Sequence, residues 1–114
     1  PTRVIGTISC TDASAAHKRM EMGLAISEAY WGQGIATEAS REVIDHAFSH
    51  FDLERLQYGC AFENKASFRL AQKLGFQYEG KLRHAFWYDG RHGDIMVLSL
   101  LRYEWEQQRH RFIS

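Results

Sequence analysis

The sequence predicts an α+β fold, a mostly antiparallel sheet flanked by helices in the order β-β-α-β-α-β-β. Three observations carry that prediction. Apolar residues alternate with period two in two short stretches ahead of a glycine-rich turn. They recur at spacings of three and four in the stretch after it. They alternate again in two long stretches joined by a polar turn near the C-terminus. Helices follow only the glycine-rich turn and the third strand, unlike the regular alternation of a doubly wound parallel sheet.

The elements follow in order. Arg3 to Cys10 alternates apolar and small polar residues, many of them β-branched, and reads as a strand. Thr11 to Lys18 is small and polar, a connecting loop. Arg19 to Ser27 is a second strand, with Met20, Met22, Leu24 and Ile26 on one face and Glu21, Gly23 and Ala25 on the other. Gly23 removes a side chain in mid-strand and permits a bulge or close approach. Beyond the glycine-rich turn, Ala36, Ala39, Val43, Ile44, Ala47, Phe48 and Phe51 form the apolar stripe of a helix. Glu38, Arg41, Glu42 and Asp45 lie opposite. Leu53 to Phe62 reads as a third strand. A short helix from about Lys65 to Leu74 turns Leu70, Ala71 and Leu74 inward and stops at Gly75. Phe76 to Tyr88 and Ile95 to Trp105 form an antiparallel pair about Asp89-Gly90-Arg91-His92-Gly93. Arg109-His110-Arg111 reads as a frayed, solvated tail.

With 114 residues, the chain has length for one domain, residues 1–114. Its 14 basic and 14 acidic side chains balance, which gives no long-range attraction to nucleic acid or to a membrane surface. The two cysteines, Cys10 and Cys60, are too few for a disulfide scaffold and sit in strands, so reduced thiols in a cytoplasmic protein are expected. No apolar stretch approaches the roughly 20 residues that cross a bilayer. The chain opens at Pro1 and runs almost at once into a strand, which suggests an N-terminally truncated domain.

The turn Trp31-Gly32-Gln33-Gly34-Ile35-Ala36-Thr37 joins a strand to a helix. Its glycines leave no Cβ between chain and ligand, and the first helical N–H groups lack internal partners where the helix dipole adds positive charge. Such a turn can cradle a pyrophosphate without a lysine. The Gly-Lys-Ser/Thr of a triphosphate loop is absent. Thr37 stands where a dinucleotide fingerprint needs its third small residue. A glycine-rich turn with no ligand is the plain alternative.

The segment Tyr30 to Ala39 resembles motif A of the GNAT N-acetyltransferase superfamily, with Gly34 and Ala36 at its last two small positions. Tyrosine and tryptophan at Tyr30 and Trp31 look like the RimJ/RimL branch. Asn64-Lys65-Ala66-Ser67 followed by Leu74-Gly75-Phe76 is similar to that branch as well, as are Trp87-Tyr88-Asp89-Gly90 with Asp94 and the closing Glu104-Trp105. The resemblance spans about residues 4 to 106, with the matches in the family's order. It implies acetyl-coenzyme A as cosubstrate, no metal, and a primary amine as acceptor, either a protein N-terminal α-amine or a small molecule. In the family a strand and two helices precede the position of Arg3 and wall the acceptor side. The resemblance therefore leaves three possibilities: a fragment, a homodimer in which another copy completes the site, or an open site.

The resemblance also distributes roles. Trp31, Gly32, Gln33, Gly34, Ile35, Ala36 and Thr37 would receive the pyrophosphate. Backbone groups of Leu24, Ala25 and Ile26 would line the pantetheine arm where this strand splays from its neighbour. Asn64, Ser67 and Phe68 complete the cofactor contacts. Asn64 also suits a plain helix N-cap. Many relatives protonate the leaving thiolate with a tyrosine at the position of Ala71, so Ser67 becomes the candidate acid or hydrogen-bond donor, against an ordinary first-turn serine. Glu21 is the candidate base, against a solvated strand glutamate, with Glu63 or water as alternatives. His84, His92 and Asp94 lack a recognised metal spacing and read as a polar hairpin rim. The aromatics Phe86, Trp87, Tyr88, Tyr103 and Trp105 read as core or subunit packing, without the interleaved basic residues of a nucleic-acid groove. The rival class is a non-catalytic acyl-coenzyme A-binding or oligomerisation module.

Overall fold

A computed structural model describes residues 6–26 and 35–113, with side chains described for 14–23 and 36–109. The order is β1 (Gly6–Ser14), β2 (Arg19–Ile26), α1 (Ile35–His50), β3 (Arg55–Ala61), α2 (Lys65–Lys73), β4 (Gln77–Tyr88), β5 (Arg91–Leu101) and α3 (Arg102–Ile113). The strands form one five-stranded sheet, β1-β2-β3-β5-β4. Every neighbouring pair is antiparallel except β2 and β3. The predicted α+β class and element order hold through β5.

Three boundaries differ from the sequence expectation. β1 runs on to Ser14, because Thr11 and Asp12 pair with Glu21 and Met20, which shortens the expected loop to the turn at 15–18. The hairpin turn tightens to Asp89-Gly90, with φ of 50° and 75°. Two positive φ values in succession match the twist of the flanking strands, so Arg91 and His92 join β5. The largest difference is the C-terminus. β5 ends at Leu101, and Arg102–Ile113 is a helix where a strand to Trp105 and a frayed Arg109-His110-Arg111 tail were expected. Glu104 explains the switch: its carboxylate accepts the Leu101 N–H at 2.9 Å, half of a capping box. The Arg102 N–H is taken by the Glu54 carbonyl.

Both crossovers, β2-α1-β3 and β3-α2-β4, advance in the same direction across the sheet, so the right-handed rule places α1 and α2 on one face. The core agrees. Met22, Leu56, Tyr58, Cys60, Met96, Leu98 and Leu100 from the strands pack with Ile44, Ala47 and Phe48 of α1, Ala71 of α2, and Trp105 of α3. Gly75 ends α2 with φ of 97°: the Phe76 N–H reaches the Ala71 carbonyl and the Gly75 N–H reaches Gln72, a Schellman motif.

The other sheet face carries a polar network. The Arg55 guanidinium grips both Glu79 oxygens at 2.7 Å, and the Ser99 hydroxyl donates to Glu79 at 2.5 Å. The Arg55 hydrogen bonds, then Ser99, hold the Glu79 carboxyl down at about 2. A lowered folded value means the stabilisation is complete above the unfolded value and disappears as pH falls through the folded one. With the Glu79 side chain 40% exposed, solvent screening leaves a contribution of about 1 kcal/mol. Acid titration of urea unfolding is expected to lose that amount between pH about 4.3 and about 2, and Glu79→Gln to abolish that component.

Candidate active site

The parallel ladder between β2 and β3 is short. Arg19, Met20, Glu21 and Met22 pair with Arg55, Leu56, Gln57 and Tyr58, and there the ladder ends. β2 continues through Leu24, Ala25 and Ile26 and β3 through Gly59 to Ala61, with no further rung between them. On its other edge β2 stays paired to β1, with Leu24 opposite Ile8, Ala25 opposite Thr7 and Ile26 opposite Gly6. The sheet therefore splits at the carboxyl ends of its two parallel strands, the end at which open α/β sheets place ligands.

Two helices start at that end. Ile35, Ala36 and Thr37 form the first turn of α1, whose leading N–H groups have no intrahelical acceptor. Trp31, Gly32, Gln33 and Gly34 lie outside the described residues. α2 begins beside the split. Asn64 caps it, its side-chain oxygen accepting the Ser67 N–H at 3.0 Å, so the plain capping role is present. The preceding turn is tied down by Phe62 N–H to the Asp94 carbonyl and Asn64 N–H to the Ala61 carbonyl, each 2.9 Å.

Ser67 sits in the first turn of α2, half-buried, with its Oγ 2.5 Å from the Tyr58 phenol oxygen. Tyr58 is the last residue of β3 paired to β2 and is 1% exposed. Burial pushes its phenol pKa up, and the Ser67 contact opposes that rise. Burial likewise pushes the Cys60 thiol up, again opposed by Ser67. Tyr58, Cys60 and Ser67 thus converge on the helical face of the sheet at the mouth of the split. Nothing in the sequence singled out Tyr58; it reads as an ordinary strand aromatic nine residues before the serine.

Glu21 lies on the opposite face. It is exposed, one residue before the end of the ladder, with one carboxylate oxygen 3.8 Å from where a Cβ on Gly59 would stand. The split is therefore flanked by a hydroxyl on one face and a carboxylate on the other. Phe68 turns toward the core edge and meets Tyr78 edge-on at 5.6 Å. Ala71 is fully buried. Glu63 is exposed in the turn before α2.

The remaining polar features lie elsewhere. His84 and His92 stack at 4.6 Å, and Asp94 accepts the His84 N–H at 2.8 Å. Among the described residues no group of three metal-binding side chains converges. A cavity of about 250 Å³ bounded by Lys18, Arg19, Met20 and Asp52 sits at the far end of β2, away from the helix starts. No helix among the described residues is long and apolar enough to cross a membrane.

The described family with matching features is the acetyltransferase (GNAT) domain, whose model matches residues 1–77. An uncharacterized N-acetyltransferase, YoaA of Bacillus subtilis (strain 168), is 35% identical over 99 residues, covering 87% of this chain and 56% of its own. The spermidine N(1)-acetyltransferase of Escherichia coli (strain K12) is 28% identical over 100 residues, 88% of this chain and 54% of its own. The crystal structure of a GNAT-family acetyltransferase from Bacillus anthracis superposes with a TM-score of 0.77 at 25% identity, over 85% of this chain and 58% of that one. The chain thus spans about half the length of the curated relatives it matches.

Proposed function

This chain belongs to the GNAT acetyltransferase family and is RimJ/RimL-like, and from that premise we propose that it binds acetyl-coenzyme A and transfers the acetyl group to a primary amine. The observation that carries the reading is the split sheet, with the Ser67 hydroxyl on one face and the Glu21 carboxylate on the other. An extended amide-rich arm lying between the strands would find the free backbone edge of Leu24, Ala25 and Ile26 on one side. The N–H groups of Ile35, Ala36 and Thr37, together with the turn Trp31 to Gly34, supply the pyrophosphate site. Asn64 and Phe68 line the arm beside Ser67.

Chemically, amine attack on the thioester needs a proton removed from nitrogen and charge on the departing sulfur stabilised. Glu21, reached directly or through a water, takes the first role. Ser67 takes the second, by hydrogen bond or proton transfer. An α-amine with pKa near 8 needs little help from a base, while a polyamine needs more. A cytoplasmic setting fits the buried, unpaired Cys60 thiol, and a second copy of the chain is a natural complement on the acceptor side.

The test is a thermal-shift titration with acetyl-coenzyme A, free coenzyme A and NAD, followed by thiol release with peptide and polyamine acceptors. Acetyl-coenzyme A at a hundredfold excess over its Kd is expected to stabilise the fold by about 2.7 kcal/mol, and NAD not at all. Thiol release that depends on acceptor supports the transferase. Tight binding without release for any acceptor points to a binding or oligomerisation module instead.

A further inference from the structure

We infer that Tyr58 is a positioning residue for Ser67: its buried phenol donates to Ser67 Oγ and so frees the serine hydrogen to point at the sulfur of bound coenzyme A. The inference rests on the acetyltransferase reading and extends it to a residue that the sequence did not single out.

The direction of the 2.5 Å hydrogen bond follows from satisfaction of buried groups. Tyr58 is 1% exposed, and among the described residues Ser67 is the hydrogen-bond partner of its oxygen. Were the serine the donor, the phenol hydrogen would be stranded in the core beside Phe76, whose ring lies 5.6 Å away. A phenol is also the more acidic of the two hydroxyls and hence the better donor. Tyr58 therefore donates, and Ser67 accepts.

Once Ser67 Oγ accepts from Tyr58, its own hydrogen has to go elsewhere. The Ser67 N–H is held by the Asn64 cap, which fixes the residue at the start of α2. The Cys60 thiol faces the same hydroxyl, but burial keeps it protonated, and a neutral thiol is a weak acceptor. A coenzyme A thiolate in the split is a strong one. Accepting one bond makes a hydroxyl a better donor of the next, so Tyr58 both aims and strengthens the Ser67 donor.

The test reads the bound thiol, with no acceptor needed. Free coenzyme A is bound to the full chain and its thiolate followed by ultraviolet absorbance from pH 6 to 10, for the native protein, Tyr58→Phe and Ser67→Ala. Tyr58→Phe keeps the ring in the core, and near-ultraviolet circular dichroism checks that each variant folds. The expected result is a native bound thiol that titrates lowest, raised by about half to one pH unit in Tyr58→Phe and at least as far in Ser67→Ala, with coenzyme A affinity at pH 6 similar between the native protein and Tyr58→Phe. A Tyr58→Phe profile that superposes on the native one overturns the inference and leaves the acetyltransferase reading in place. Failure of the native chain to bind coenzyme A overturns both.

Discussion

A Trp105→Ala variant is expected to unfold about 3–5 kcal/mol more easily than the native chain, measured by urea denaturation followed by far-ultraviolet circular dichroism. Trp105 is 3% exposed and, among the described residues, is the buried side chain that α3 contributes to the core. Its ring stacks on Phe48 of α1 at 5.0 Å, and its indole N–H donates to Asp45 of the same helix at 2.7 Å. Removing it leaves a cavity between two helices and deprives Asp45 of a donor. Arg102 at the start of α3 adds a second tie, donating to the carbonyls of Phe48, Phe51 and Leu53 around the end of α1. Phe48 lies in the last turn of α1, whose carbonyls a helix leaves without internal partners. Trp105→Phe, which keeps the stack and drops the indole hydrogen bond, is expected to cost about 1 kcal/mol. Equal losses for Ala and Phe would show that packing is not what fixes α3.

Ser67→Ala is expected to lower turnover by about a hundredfold at saturating acetyl-coenzyme A, with cofactor affinity little changed. The same variant strands the Tyr58 phenol and is expected to cost about 1–3 kcal/mol of stability. The two effects separate on measurement, since a native-like fraction that binds cofactor normally yet turns over slowly locates the defect in chemistry. Unchanged turnover removes Ser67 from the mechanism, whatever the stability does.

Local signals made most of the fold legible. The stripe of Ile44, Ala47 and Phe48 and the Gly75 stop each depend on neighbours within a few residues and stand where expected, while the hairpin turn falls in the expected place but tightens to Asp89-Gly90. α3 was obscured because Leu101, Tyr103 and Trp105 alternate with Arg102 and Glu104 across the boundary, a strand-like period of two. Its start also lacks a serine, threonine or aspartate cap, since the cap residue is Leu101 and Glu104 reaches back to it. At the site, motif resemblance pointed to Asn64 and Ser67, and the expected splay matches the place where Leu24, Ala25 and Ile26 run on past the end of the β2–β3 ladder. Tyr58 was not visible, because its link to Ser67 joins different elements and exists only after α2 folds over β3. The Arg55–Glu79–Ser99 network was hidden for the same reason, being assembled from three strands.

The short ladder between β2 and β3 also makes the sheet a composite of two ribbons. β1 with β2 is one antiparallel unit, and β3, β5 and β4 are another, zipped together by four parallel pairs. Parallel pairing is slightly weaker per residue than antiparallel, and a short run of it offers little cooperativity. Opening along this seam is thus a low-cost partial unfolding event, distinct from melting either ribbon. A ligand lying across the split would act as a staple between the two units, slowing hydrogen exchange along the seam well before it alters the amides at the centre of β5.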